Sequence, residues 1–182
     1  FAEPAPKNCW RIIVAIADVS TYVQSGDILD KEASQRGNSV YLPGTVVPML
    51  PEALSNGLCS LRPHEDRACL AVEMVIDSAG NKQSHRFFQA LIRSSARLTY
   101  TLVQQVIEGS LDEADCKVTP GTLHHLIGAF RALHKSRNRR GTLNLNLSEA
   151  RIQFDETDQP VSVIENHQEE AHQPDSNTHL TL

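Results

Sequence analysis

The stretch 36–67, RGNSVYLPGTVVPMLPEALSNGLCSLRPHEDR, decides how the rest of the chain is interpreted. Pro43, Pro48 and Pro51 fall within nine residues of one another. Each proline fixes φ and lacks a backbone donor, so neither a regular helix nor a central strand is expected to run through them. The same stretch is rich in apolar side chains that need burial: Val40, Tyr41, Leu42, Val46, Val47, Met49, Leu50, Leu54, Leu58 and Leu61. A stiff, apolar loop flanked by arginines predicts a shaped surface that carries function.

Composition limits the possible classes of protein. The 182 residues suffice for about one domain with a sizeable core, and the 40% hydrophobic and 21% charged residues are typical of a globular protein. The net charge of −5 means that any nucleic-acid role must come from local basic patches. No apolar run approaches a membrane span and no signal peptide is visible, so we expect a cytoplasmic protein. Because Phe1 is not a start methionine, the true start is expected upstream.

The cysteines do not indicate a metal or disulfide framework. Cys9, Cys59, Cys69 and Cys116 show no C-x-x-C spacing and no partnered histidines. We interpret them as scattered, reduced thiols.

Strand patterns predict an α+β fold with a mixed, largely antiparallel sheet. The β-branched run 10–17 has little alternation, which favours a strand covered on both faces. Runs 68–77 and 83–94 are joined by the turn 78–81, where Gly80 and Asn81 tolerate positive φ, and this predicts an antiparallel hairpin. Alternation at Leu143, Leu145 and Leu147 predicts a half-buried strand, and 152–163 a further hairpin turned at 158–160.

Helix signals fall between these strands. Residues 29–35 form a predicted short helix, with Asp30 near its start and Gly37 beyond its end. A second helix is predicted after Thr99, its candidate cap. A third runs from Pro120 to about Asn138, with Thr119 as its cap and Pro120 at its first position. Its expected buried face comprises Leu123, Leu126, Ile127, Phe130 and Leu133 or His134.

Several long motifs together resemble one family, the RNB catalytic domain of the ribonuclease II and ribonuclease R exoribonucleases. They are SVYLP at 39–43, VPMLPEALSNGLCSL at 47–61, VAIADVSTYVQSGDILDKEASQRG at 14–37, SSARLTY at 94–100 and RRGTLNL at 139–145. The resemblance covers roughly residues 1–172 and implies an incomplete RNB domain. The last residues, 173–182, have no periodicity or apolar face, and we expect an unrelated, disordered tail.

The resemblance implies that the parent protein hydrolyses single-stranded RNA from its 3′ end to 5′-mononucleotides, with Mg²⁺. We expect a monomer that binds RNA and neither DNA nor a membrane. SVYLP and SNGLCSL favour ribonuclease R over ribonuclease II.

Two tyrosines match channel residues of the family. The position of Tyr41 implies stacking on the RNA 3′ end, since an aromatic face accepts any base. Tyr100 matches a second channel tyrosine. For each, the alternative is an aromatic ring packed in the core. Leu145 stands where ribonuclease II has a base-clamping phenylalanine, and because leucine does not stack, the clamp is expected to differ.

Cations near the tyrosines and on the third helix are candidate phosphate ligands. The run 131–140, RALHKSRNRR, contains five basic residues and no acid. Arg36, Arg137, Arg139 and Arg140 are the predicted RNA-binding arginines, because guanidinium forks suit phosphate oxygens. The alternative is a solvated helix terminus whose cations complement the helix dipole. His124, His125 and His134 lie nearby, but no carboxylate is expected beside them, so we predict no metal site there.

The family's metal ligands have no counterpart here. Two divalent ions need several anionic oxygens, which the family supplies as a D-x5-D-x-D-D cluster upstream of the position of Phe1. Asp18, Asp27 and Asp30 are spaced over a strand end, a turn and a helix start. We therefore expect no catalytic residue and no bound Mg²⁺ in this chain, which alone would be inactive. Two alternatives stay open: a non-catalytic RNA-binding or regulatory relative, and a misfolding product of a pseudogene.

Overall fold

The computed structural model describes residues 1–42, 44–141, 149–155 and 159–166. These residues form the strands β1 (Ala2–Ala5), β2 (Cys9–Ala17), β3 (Val40–Leu42), β4 (Thr45–Val47), β5 (Asp66–Asp77), β6 (Lys82–Arg93), β7 (Glu149–Phe154) and β8 (Pro160–Asn166), and the helices α1 (Ile28–Arg36), α2 (Tyr100–Ile107) and α3 (Thr122–Arg139). The α+β class and the largely antiparallel sheet are confirmed. In the described part of the chain, no helix is both long enough and apolar enough to cross a membrane.

A four-stranded antiparallel sheet in the order β1-β2-β5-β6 is the scaffold. The β5–β6 hairpin forms as predicted, with the Asp77 carboxylate accepting from Ala79 N and Asn81 N, both at 2.9 Å. Gly80 has φ +79° in this turn. Two smaller antiparallel hairpins, β3–β4 and β7–β8, stand apart from the sheet. The alternating leucines 143, 145 and 147 lie outside the described residues.

Helix α3 covers one face of the sheet. Period-2 alternation puts Ile12, Val72 and Met74 on that face, since Ile12 pairs with Met74 and Val14 pairs with Val72. These side chains and Ile76 pack with Ala129 and Ala132 of α3 to form the main core. Each Å² of apolar surface that this contact removes from water stabilises the scaffold by about 25 cal/mol.

The sequence predicted that both faces of β2 are covered by apolar packing, but a charged side chain, Arg11, lies on the other face. Arg11 on that face forms an ion pair with Glu73, and its Nη1 lies 2.6 Å from Glu3 Oε1. Arg86 Nε lies 3.1 Å from Glu73 Oε1. Ala15 also lies on this face. The apolar run 10–17 did not predict the charged network, because Glu3, Glu73 and Arg86 belong to other strands.

The predicted cap of α3 was wrong. The helix begins at Thr122 rather than Pro120, and its N-cap residue is Gly121 with φ +85°. A carboxylate from outside the helix replaces the expected Thr119 cap. Glu113 Oε2 accepts from Gly121 N at 3.0 Å and its Oε1 from Leu123 N at 2.5 Å, which satisfies helix-terminal donors. The predicted buried face of α3 is confirmed at Leu123, Ile127 and Phe130.

The shorter helices match their sequence signals. Asp27 caps α1 by accepting from Asp30 N at 2.7 Å, and Gly37 ends the helix with φ +76°. Thr99 caps α2 through its Oγ1, which accepts from Leu102 N at 3.3 Å.

Candidate nucleic-acid interface

The proline-rich stretch folds into a short hairpin that leaves its apolar residues exposed. Tyr41 in β3 pairs with Val46 in β4, and Gly44 turns the chain with φ +75°. The Tyr41 side chain is 79% exposed, and Leu42 is 51% exposed. The expectation that this stretch needs burial within the chain was therefore wrong for most of it; Leu54 is the buried exception among the described residues. The described apolar residues of β3 and β4 are all more than a third exposed, so they do not form part of the main core.

Arginines hold this hairpin to the scaffold. Arg36 Nη1 donates to Pro48 O at 3.1 Å, and its Nε lies 2.9 Å from Glu32 Oε1. Ser39 Oγ accepts from Met49 N at 2.9 Å. Arg36, predicted from the sequence as an RNA ligand, thus also links the end of α1 to the base of the hairpin.

A second brace follows the hairpin. Residues Ala53–Leu58 form one π-helical turn, and Arg62 Nη2 donates to Asn56 O at 2.6 Å. Arg67 Nε donates to Ser60 O at 3.0 Å. The cations that flank the stretch therefore donate to its backbone carbonyls, and Ser60 O also accepts from Arg62 N at 2.8 Å.

Apart from Arg36 at the end of α1, the predicted site residues lie on three different elements. Tyr41 is in β3, Tyr100 begins α2 and is 45% exposed, and the predicted arginines 137, 139 and 140 end α3. Among the described residues, these three elements share no extensive packing. Neither ring is fully buried, so the exposure of both rings is compatible with stacking. Leu145 lies outside the described residues.

The end of α3 is tied to the β5–β6 turn. Arg139 Nη2 donates to Ala79 O at 2.6 Å. A Cβ on Gly80 would lie 2.1 Å from Ala132 O, so only glycine allows the turn to approach the helix this closely. The turn is consequently held against α3, and Arg139 is fixed beside it.

A carboxylate does lie beside one of the histidines, contrary to the sequence expectation. His124 Nδ1 lies 2.8 Å from Glu113 Oε2. Burial alone would raise the pKa of Glu113, but the hydrogen bonds from His124, Leu123 N and Gly121 N together lower it below its ordinary value. Sequence reasoning missed Glu113 because its partners lie eight or more residues away, beyond any capping-box spacing.

The aspartates of the early chain serve local structure. Asp18 is buried, and it accepts from Ser20 Oγ at 2.5 Å and from Gln89 Nε2 at 2.9 Å. The hydrogen bond from Ser20 lowers the pKa of Asp18. Asp27 and Asp30 accept backbone hydrogen bonds around the start of α1. Within the described residues, no group of three or more His, Cys, Asp or Glu side chains converges to hold a metal ion, so these residues do not fit a two-metal site.

Known proteins match both the sequence and this geometry. The family model of the RNB domain matches residues 1–174. Ribonuclease R of Vibrio parahaemolyticus is 44% identical over 156 residues, which cover 85% of this chain and 19% of that protein. Ribonuclease R of Escherichia coli is 43% identical with the same coverage of both chains.

Solved structures agree with the sequence matches. Mycoplasma genitalium RNase R in complex with ribose-methylated single-stranded RNA has a TM-score of 0.90 and 32% identity, and the match covers 98% of this chain and 28% of that one. The chain thus spans about a fifth of the length of the curated relatives named above. The match of one family model to nearly every residue, with the same fold in a related nuclease, shows that this chain belongs to the RNB family of exoribonucleases.

Proposed function

We propose that this chain is the RNA-guiding part of a ribonuclease R-like enzyme that degrades single-stranded RNA from its 3′ end. The whole protein would act in the cytoplasm with Mg²⁺ and release 5′-mononucleotides. The observation that carries the proposal is the Tyr41 ring, which is 79% exposed on a braced hairpin within a motif that resembles the family's channel. An exposed aromatic face stacks on any base, contributing roughly 1–3 kcal/mol per base, which suits an enzyme that must pass every sequence.

The arginines of α3 supply the second part of this proposal. Arg137, Arg139 and Arg140 end the helix, and phosphate contacts there would release counterions and make RNA binding salt-dependent. Arg36 contributes a fourth cation at the base of the hairpin. Stacking and phosphate contacts together give affinity without sequence preference.

We further propose that the 182-residue chain alone binds RNA without cutting it. A Mg²⁺ ion would supply Lewis-acid chemistry for hydrolysis, and convergent carboxylates would be needed to hold it. The described carboxylates are separated and already engaged at Asp18, Asp27 and Asp30.

The test combines binding and decay. Fluorescence anisotropy with a 5′-labelled oligoadenylate should show salt-dependent binding to the purified chain. Incubation with Mg²⁺ should leave the oligonucleotide intact. Magnesium-dependent shortening would overturn the proposal of an inactive chain, whereas absence of binding at low salt would overturn the guiding role.

An activity assay on the longer protein that contains this chain distinguishes a nuclease from a non-catalytic relative. If the protein that contains this chain shortens oligoadenylate with Mg²⁺, it is an exoribonuclease. If it binds RNA and leaves it intact, it is an RNA-binding member of the family.

A further inference from the structure

A cavity of about 410 Å³ lies between the β5–β6 turn and the end of α3. Its volume falls within the roughly 300–1,000 Å³ of typical small-molecule sites. Three cations line it: Lys82 from the start of β6, and Arg139 and Arg140 from the end of α3. None of the lining residues is acidic. Three full positive charges outweigh the roughly half negative charge at a helix C-terminus.

The cations are available to a ligand. Among the described residues, neither Lys82 nor Arg140 forms an ion pair. Arg139 uses one guanidinium nitrogen, Nη2, to donate to Ala79 O at 2.6 Å, which fixes its position at the cavity without neutralising it. The nearest acid in sequence, Asp77, caps the turn with both carboxylate oxygens and is not a lining residue.

The floor of the cavity is apolar. Met74 and Ile76 of β5 and Leu133 of α3 are its apolar lining residues. Ile76 is 1% exposed, so the floor is continuous with the main core. A ligand that fits both parts has an anionic group and a flat or apolar body.

The walls are rigid. The positive φ of Gly80 and its close approach to Ala132 hold the turn against α3, and Asn81 and Lys82 follow directly from that turn. A preformed site loses little conformational entropy on binding.

We infer that this cavity binds a nucleoside phosphate, with the phosphate on Lys82, Arg139 and Arg140 and the nucleoside against the apolar floor. The inference deepens the proposed RNA function and rests on it, because it places a nucleotide-binding position at the end of α3, away from Tyr41. The phosphate ester would come from either an RNA strand or a free mononucleotide.

The experiment is a titration of the ¹⁵N-labelled 182-residue chain with AMP, followed by NMR. Saturable shifts are expected in the backbone signals of 80–82 and 136–140. Adenosine and inorganic phosphate are the matched probes, and each should bind more weakly than AMP, because each contacts only one part of the site. Equal binding of inorganic phosphate and AMP would overturn the use of the apolar floor.

Charge variants make the assignment specific. Lys82→Gln and Arg140→Gln should each weaken AMP binding roughly tenfold, as expected for losing a charged hydrogen bond. Lys135→Gln is the matched control, since this exposed lysine lies on the same helix and does not line the cavity. Equal weakening by all three variants, or no saturable shift at millimolar AMP, would overturn the inference.

Two further measurements identify the source of the phosphate ester and test this inference separately from the proposed function. Shifts of the same signals by oligoadenylate would assign the site to an RNA strand, and shifts by AMP alone would assign it to a free mononucleotide. Tyr41→Ala should weaken oligoadenylate binding and leave the AMP-induced shifts of 80–82 and 136–140 unchanged, because Tyr41 does not line the cavity. AMP binding without any RNA binding would overturn the proposed function alone, and RNA binding without any AMP binding would overturn this inference alone.

Discussion

The scaffold and the proline-rich hairpin treat their apolar residues in opposite ways. Ile76, in the sheet beneath α3, is 1% exposed, whereas Val47, of similar chemistry in β4, is 48% exposed. The scaffold stabilises itself by removing apolar surface from water. The hairpin is held by arginine hydrogen bonds such as Arg36 to Pro48 O at 3.1 Å, and its apolar side chains remain available for contact. The residues that maintain the fold are therefore distinct from the residues that present a surface.

The largest expected effect is that of Gly80→Ala. The new Cβ would lie 2.1 Å from Ala132 O, a backbone atom that does not yield, at a residue with φ +79°. Strain and overpacking together predict a loss of roughly 2–6 kcal/mol in the free energy of unfolding.

Gly44→Ala in the hairpin is the matched control, because Gly44 has φ +75° and a Cβ added there would meet no atom within 4 Å. It should cost about 1–2 kcal/mol from φ alone. Urea denaturation measures both, and equal losses would contradict the rigid contact between turn and helix.

Ile76→Ala should rank next. Truncating this fully buried side chain leaves a cavity beneath α3, with an expected loss of about 2–5 kcal/mol. Val47→Ala, in the exposed hairpin, should change the free energy of unfolding by less than about 1 kcal/mol. If both substitutions cost the same in denaturant titrations, the hairpin would be part of the core and the comparison would fail.

Tyr41→Ala should affect RNA binding and not stability. Removing the exposed ring is expected to cost about 1–3 kcal/mol in oligoadenylate affinity, measured by anisotropy at fixed salt. Tyr41→Phe keeps the aromatic face and should retain the affinity. A lower unfolding midpoint for Tyr41→Ala with unchanged RNA binding would place this ring in the structural part of the molecule.

The smallest effect concerns the Glu113 cap of α3. Glu113→Gln removes the carboxylate that accepts from Gly121 N and Leu123 N, at an expected cost of about 1 kcal/mol. Because folding lowers the pKa of Glu113, its contribution is fully present above the ordinary glutamate value of about 4.3 and is lost as the pH falls through the lower value of the folded state. Thermal unfolding between pH 7 and pH 3 should therefore show a smaller decrease for the variant than for the parent. Glu52→Gln, at an exposed position in the proline-rich stretch, should behave as the parent does.

Local patterns predicted the elements that depend on neighbouring residues. The hairpin turn at 78–81, the Thr99 cap and the buried face of α3 follow from turn chemistry, capping and 3.6-residue periodicity. Local patterns did not predict the start of α3, because the residue that caps it, Glu113, lies eight residues before Gly121. The charged face of β2 was also not predicted, since the Arg11–Glu73 pair joins residues 62 positions apart.

For the candidate site, the motif SVYLP pointed to Tyr41, and no sequence pattern pointed to Lys82 as a residue that lines the cavity. The residues around the cavity come from a hairpin turn and a helix end more than fifty positions apart, and only their packing brings them together.

The amino-acid sequence by itself determined the family, the antiparallel hairpin and the existence of the three helices, because these depend on motifs and on short-range backbone preferences. The tertiary structure decided which apolar residues are buried, which carboxylate caps α3 and which cations surround one cavity. Burial and charge proximity depend on distances across the fold, and the order of residues along the chain does not specify those distances.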